Sequence, residues 1–215
     1  MKRLFSILLV FAMLFSIAGC KGSDKEAVSK AANEFLTACK NGEFDQASKL
    51  TDSSVSSKLQ LDNVDSSITS ALGSYSNRGG EKFKKGLDEF VKKVKKAYVQ
   101  SYTIKDDYDN DKKSLSAEVK ILDQSAISSV SSTLRTKVAE LSRKYVQSHL
   151  AELQKIYASE GNEAMQNATL EGMADQLFEL LDKEYLAKIP TKTQTWKMTF
   201  TDSDKTWKLT DVVIA

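Results

Sequence analysis

One proline, one histidine and two cysteines in 215 residues leave this chain poor in the residue types that most often announce a fold or a chemistry. With Pro190 the only proline, there is no Pro-rich linker to set domains apart, and the length suits a single domain with a proper core. His149 stands alone, so a multi-histidine metal site is excluded. No serine-nucleophile motif, metal-ligand cluster or phosphate-cradling glycine loop accompanies it, and His149 reads as a structural or surface residue rather than a catalyst. Charge of one sign is also lacking. The net charge of +2 is supplied by Lys2 and Arg3, and the 29 acidic residues are matched by as many basic ones in the rest of the chain. A neutral body argues against nucleic acid as a partner, which would require a basic footprint. No catalytic residue, metal or cofactor is expected from these counts and motifs.

What is present begins with an address. Lys2 and Arg3 form a positive start, and Leu4 to Ile17 is an apolar run broken only by Ser6 and Ser16, too short for a comfortable membrane span. Ile17-Ala18-Gly19-Cys20 resembles the bacterial lipobox, in which a branched residue and two small ones precede a cysteine. That resemblance implies a cleaved signal over 1–19, a diacylglyceryl group on the Cys20 sulfur, and a protein held by lipid on the extracytoplasmic face of the cell membrane. Two or more acyl chains on one residue anchor far more firmly than one. Ser23-Asp24-Lys25-Glu26 has the spacing of a capping box, so the first helix starts almost at the lipid and residues 20–23 form a short tether. The reach of that tether is roughly 10 to 15 Å when extended. With Cys20 lipidated, Cys39 has no partner for an intramolecular disulfide. It falls on the apolar stripe Val28, Ala31, Ala32, Phe35, Leu36, Cys39 and reads as a buried, inert thiol.

The body alternates between two hydrophobic periods. A helix to Lys40 stops at Asn41-Gly42 and is followed by a helical turn through Phe44, Ala47 and Leu50. A small helix is expected around 64–72, then a glycine-containing break over 73–80. Phe83, Leu87, Phe90, Val91, Val94 and Tyr98 recur at helical spacing with seven lysines on the other positions. Asp88 and Glu89 interrupt that lysine face, which reads as solvated rather than lipid-bound. From Tyr98 the period becomes 2: Tyr98, Tyr102, Ile104 and Tyr108, then Leu115, Ala117, Val119 and Ile121, predict an antiparallel hairpin. Asp107, Asp109 and Asp111 imitate the start of a calcium loop, but Lys112 stands where the glycine is needed, so the segment reads as a turn. From Asp123 the helical period predicts one helix of more than 30 residues through Tyr157, a turn at Gly161-Asn162 and a returning helix that ends before Pro190. A second hairpin follows, with Gln194, Trp196, Met198 and Phe200 alternating against threonines, then Trp207, Leu209 and Val213. Asp211 shares the parity of Leu209, so it points inward, as at a pocket, unless a bulge or the strand's end intervenes, and a bulge or the sheet's open end is the expectation. Trp196, Trp207 and Asp211 are the candidate ligand-binding residues.

Ala32-x-x-Phe35-Leu36-x-Ala38, then Asn41-Gly42-x-x-Asp45-x-Ala47, then paired strands ending in Trp207-Lys208-Leu209, is similar to the NTF2-like (cystatin-like cone) superfamily, particularly the small domains of bacterial lipoproteins. The resemblance covers residues 24–50, 98–122 and 191–215, and implies a curved antiparallel sheet around helices with a concave pocket. The paired Asp and His of enzymatic members have no counterpart here, and residues 124–188 have the character of an insertion. The expected fold is α+β: a curved antiparallel sheet of about four strands packed on N-terminal helices, with a long helical hairpin inserted between the two strand pairs. The expected function is non-enzymatic, a surface lipoprotein that binds a small ligand or a protein partner. The alternatives are a small-molecule enzyme of NTF2-like type, or a membrane-proximal accessory subunit acting through the long helices.

Overall fold

In the computed structural model, residues 24–59, 61, 79–203 and 206–215 are described. The signal segment 1–19, Cys20, the tether 20–23, the helix expected over 64–72 and nearly all of the break after it lie outside the described residues. The first element is helix α1, Asp24–Asn41, with acids in its first turn and Lys40 in its last, the arrangement that the helix dipole favours. Its apolar residues at i, i+3, i+4 and i+7 put Val28, Ala32, Phe35, Leu36 and Cys39 fully inside. The chain turns at Gly42, whose amide donates to the Cys39 carbonyl while that of Glu43 donates to Ala38. Helices α2, Phe44–Lys49, and α3, Ser53–Lys58, follow, the latter capped by Asp52, whose carboxylate accepts from the Val55 amide at 2.9 Å. Helix α4, Glu81–Tyr98, carries the expected amphipathic stripe and buries Phe83, Leu87 and Phe90.

Strands β1, Val99–Ile104, β2, Ser114–Leu122, β3, Thr191–Ser203, and β4, Thr206–Ile214, form one sheet in the order β1-β2-β3-β4, every neighbour antiparallel. The α+β class and the sheet of four strands agree with the alternation in the sequence. Two irregularities re-aim side chains. The β1–β2 register shifts between Val99 and Ser101, which leaves Gln100 over and lets Val99 point inward. The β3–β4 register shifts between Thr199 and Phe200, which pair with Asp211 and Leu209, so Thr210 is the extra residue. That bulge reverses the parity of β4: Leu209 and Val212 are buried, and Asp211 and Val213 face out. Inward Val213, expected from unbroken alternation, is thereby corrected. Along its outer edge β4 is met by residues 50–52, where the Leu209 amide donates to Leu50 and the Asp52 amide to Leu209, which satisfies some of an open edge.

In chain order, helices α5, Ile127–Ser148, and α6, Leu150–Leu180, come after β2 and before β3. The helix expected to run unbroken through Tyr157 instead ends at Ser148, where His149 has left helical geometry. Gly161, at φ 88° and ψ −176°, interrupts α6 at the expected turn. A π-helical turn, Leu181–Tyr185, continues α6 towards Pro190.

These elements enclose two apolar cores. The larger joins α1, α2 and α3 to the inner face of the sheet, with Phe35, Phe44, Leu115, Val119, Trp196, Met198 and Leu209 all but fully buried. The smaller joins Phe83, Leu87 and Phe90 of α4 to Met173, Ala174, Leu177, Phe178 and Leu181. Gly86 lets α4 approach α6 there, since a Cβ at that position would lie 2.2 Å from the Phe178 ring. Helix α4 serves both cores, because its last residue, Tyr98, packs on the larger one.

Candidate functional site

The inner face of β3 is apolar at Trp196, Met198 and Phe200, then continues at the same parity through Gln194 to Lys192. Gln194 and Lys192 thus put two polar, partly buried side chains at the end of that row. A cavity of about 130 Å³ occupies this end. It is lined by Lys58 and Leu59 at the end of α3, Tyr98 at the end of α4, Ile121 of β2, Lys192, Gln194 and Trp196 of β3, and Ile214 of β4. The strand register explains the convergence: Lys192 faces Ile121 across one ladder and Trp196 faces Ile214 across the other.

The floor is apolar and fixed. Trp196 is fully buried, and its indole N–H donates to the Gln194 side-chain oxygen at 3.3 Å. The Tyr98 hydroxyl donates to the Leu59 carbonyl at 3.3 Å, and its ring meets Phe44 edge-on at 5.5 Å. Burial, with a smaller contribution from Cys39 nearby, pushes the Tyr98 phenol up to about 12. The rim is cationic. Lys58 donates to the Val212 carbonyl and lies 3.6 Å from Asp211, and Lys192 lies 3.3 Å from Asp123. Neither carboxylate belongs to the lining, which among the described residues contains two lysines, a tyrosine and no acid. The opening is thus flanked by two lysines, each with an aspartate beside it.

The residues singled out from the sequence fall in different places. Trp196 is in the cavity wall, Asp211 stands outside it as the counter-ion of Lys58, and Trp207 packs half-buried on the larger core. Lys58, Lys192 and Tyr98 were not among them. Lys192 was legible in principle, since it extends the parity of Trp196 and Gln194; Lys58 was not, because only the tertiary fold brings it there. Cys39 is buried and unpaired as expected, and burial pushes its thiol up to about 12, so it is no nucleophile at neutral pH. His149 caps the end of α5, with Nδ1 3.0 Å from the Tyr145 carbonyl and its ring stacked 4.1 Å from that of Tyr145. The aspartates that imitate a calcium loop serve the hairpin turn: Asp109 accepts from the amides of Asp111 and Lys112, and Asp107 from that of Ser116. Among the described residues no group of three or more His, Cys, Asp or Glu side chains is placed to hold a metal ion, and no helix is long and apolar enough to cross a membrane. Comparisons with protein-family models, with curated proteins and with solved structures find no match to this chain.

Proposed function

We propose that this chain is a non-enzymatic lipoprotein, held on the extracytoplasmic face of the cell membrane by lipid on Cys20, whose sheet and N-terminal helices form an NTF2-like cone that binds a small ligand. The observation that carries the ligand-binding reading is the cavity at the end of the sheet's inner face, where Ile214 and the Tyr98 ring meet two lysines in front of the buried Trp196. Among the described residues that lining holds no carboxylate, which favours holding a ligand over transforming one. The anchor rests on the lipobox-like Ile17-Ala18-Gly19-Cys20 after a short apolar run. We further read residues 124–188 as a helical hairpin inserted between the two strand pairs. In its support, β2 and β3 pair along their length although the helices separate them in the chain, and Lys137 of α5 meets Glu184 while Tyr145 lies against Gly172.

Metabolic labelling with a fatty-acid analogue, followed by membrane fractionation of the wild type and Cys20→Ala, tests the anchor. Label and membrane residence are expected in the wild type and loss of both in the variant. Equal processing and equal membrane association of the two proteins would sink the lipid-anchor claim.

A further inference from the structure

The position of the cavity relative to the start of α1, its size and its charge together narrow the ligand. Asp24 and Lys25, the first residues of α1, pair with Lys113 and Asp106 at the turn between β1 and β2. Strand β2 leaves that turn at Ser114 and reaches the cavity at Ile121. At about 3.3 Å per residue the separation along the strand is on the order of 25 Å. The start of α1 therefore lies at one end of the sheet and the cavity at the other. On the anchor reading above, a ligand meets the cavity from water.

A volume of about 130 Å³ is close to that of an engineered protein cavity, about 150 Å³, that holds a benzene ring. Most of a lipid acyl chain would remain outside it. The exposed Ile214 and the half-buried Tyr98 ring supply apolar wall in front of the buried Trp196, and the ammonium groups of Lys58 and Lys192 supply positive charge on the rim. Both lysines are partly exposed and hold their own aspartates only as surface pairs, which contribute about 0–1 kcal/mol each and so give way readily. Each ammonium has three donors, and the contacts of Lys58 with Val212 and Asp211 leave one for a ligand. Among the described residues an amine ligand would meet two like charges and no acid in the lining.

We propose that the cavity takes a small, water-soluble monocarboxylate of about one-ring size, its body against Ile214 and the Tyr98 ring and its carboxylate between Lys58 and Lys192. This rests on the ligand-binding reading above. The test is a titration of the isotope-labelled full chain, anchored in lipid nanodiscs, with benzoate, with its neutral isostere benzamide and with the cation benzylamine, followed by amide and indole resonances. Benzoate is expected to shift the Trp196 indole N–H and the amides of Gln194 and Ile121 saturably, with benzamide at least tenfold weaker and benzylamine without effect. Lys58→Met with Lys192→Met is expected to weaken benzoate at least tenfold while the spectrum elsewhere stays unchanged. Lys58→Arg with Lys192→Arg, which restores the charges, is expected to recover most of the affinity. Benzamide binding as tightly as benzoate, or benzoate binding undiminished by the methionine pair, overturns the carboxylate assignment and leaves a ligand-binding cavity of another class. Saturable shifts from none of the three probes overturn both the assignment and the ligand-binding reading on which it rests.

Discussion

The two apolar cores of this chain are built by different means. The sheet core brings together large side chains from α1, α2, α3 and all four strands, and its interior is packed tightly enough that Trp196, Phe35 and Phe44 are almost wholly withdrawn from water. Among the described residues the helical core has fewer buried side chains, and it is tied at its margins by polar contacts between α4 and the second half of α6 with the turn that follows it. Glu171 accepts from the amides of Lys82 and Phe83, at 2.9 and 3.0 Å, and so does for α4 what Gly80, without a side chain, cannot do as its N-cap. Lys82 pairs with Asp175 at 2.6 Å and Lys93 with Asp182. The difference teaches that apolar packing holds the half that contains the cavity, whereas specific polar fits decide how α4 docks in the other half. A cavity at the end of a well-packed sheet is correspondingly pre-formed, which favours binding without reorganisation.

Several substitutions separate the two halves. The largest effect is expected from Phe35→Ala, which empties the middle of the sheet core and costs about 3–5 kcal/mol, a large share of the stability of an ordinary domain. Urea unfolding followed by tryptophan fluorescence checks it, because Trp196 lies in that core. A loss below about 1 kcal/mol would mean that the sheet core is looser than its burial indicates. Next comes Gly86→Ala, which overpacks the contact with Phe178 and costs about 1–3 kcal/mol. Hydrogen exchange is expected to quicken in the first half of α4 and in α6, with amides of β2 and β3 keeping their protection. Uniform loss of protection would erase the distinction between the halves.

Glu171→Ala removes the cross-chain cap and is expected to cost about 1 kcal/mol, read as a lower denaturation midpoint. Burial works to raise the carboxyl of Glu171, but the amides of Phe83, Lys82 and Gly80 outweigh it and hold the group below its usual value. Its contribution is therefore present above the unfolded-state carboxyl value and lost as pH falls through the lower folded-state one. The smallest effect belongs to Glu184, whose carboxylate is held down to about 2 by Lys137, at 2.7 Å, and Lys188, at 2.5 Å. The sign is the same: the contribution is complete above the ordinary value of 4.5 and fades as pH falls towards 2. Glu184→Gln is expected to lower stability slightly at neutral pH and to leave it unchanged near pH 2, which flattens the acid limb of the profile, measured as melting temperature against pH.

Particular residues show why the sequence was legible in some places and silent in others. The stripe from Val28 to Cys39 and the alternations over Leu115–Ile121 and Trp196–Phe200 place the sheet core, because one buried face imposes its period on the chain. The inward parity of Asp211 suggested a bulge or the sheet's open end without deciding between them, since Thr210 as the extra residue follows from pairing with β3. The break at His149 carries no glycine or proline signal, so the helical period continued across it to Tyr157. The cavity was half legible. Trp196 lies on a readable row, but Lys58 and Tyr98 arrive from the ends of two helices that only tertiary packing brings to Ile121.

A native mass spectrum of the full chain, released gently from the membranes of the cells that make it, bears most directly on the ligand-binding reading. The expected spectrum shows the lipidated polypeptide with one further small acid bound one to one, lost on unfolding and missing from the variant with Lys58→Met and Lys192→Met. A spectrum of the lipidated chain with no further mass, unchanged when benzoate is added in excess, would contradict it.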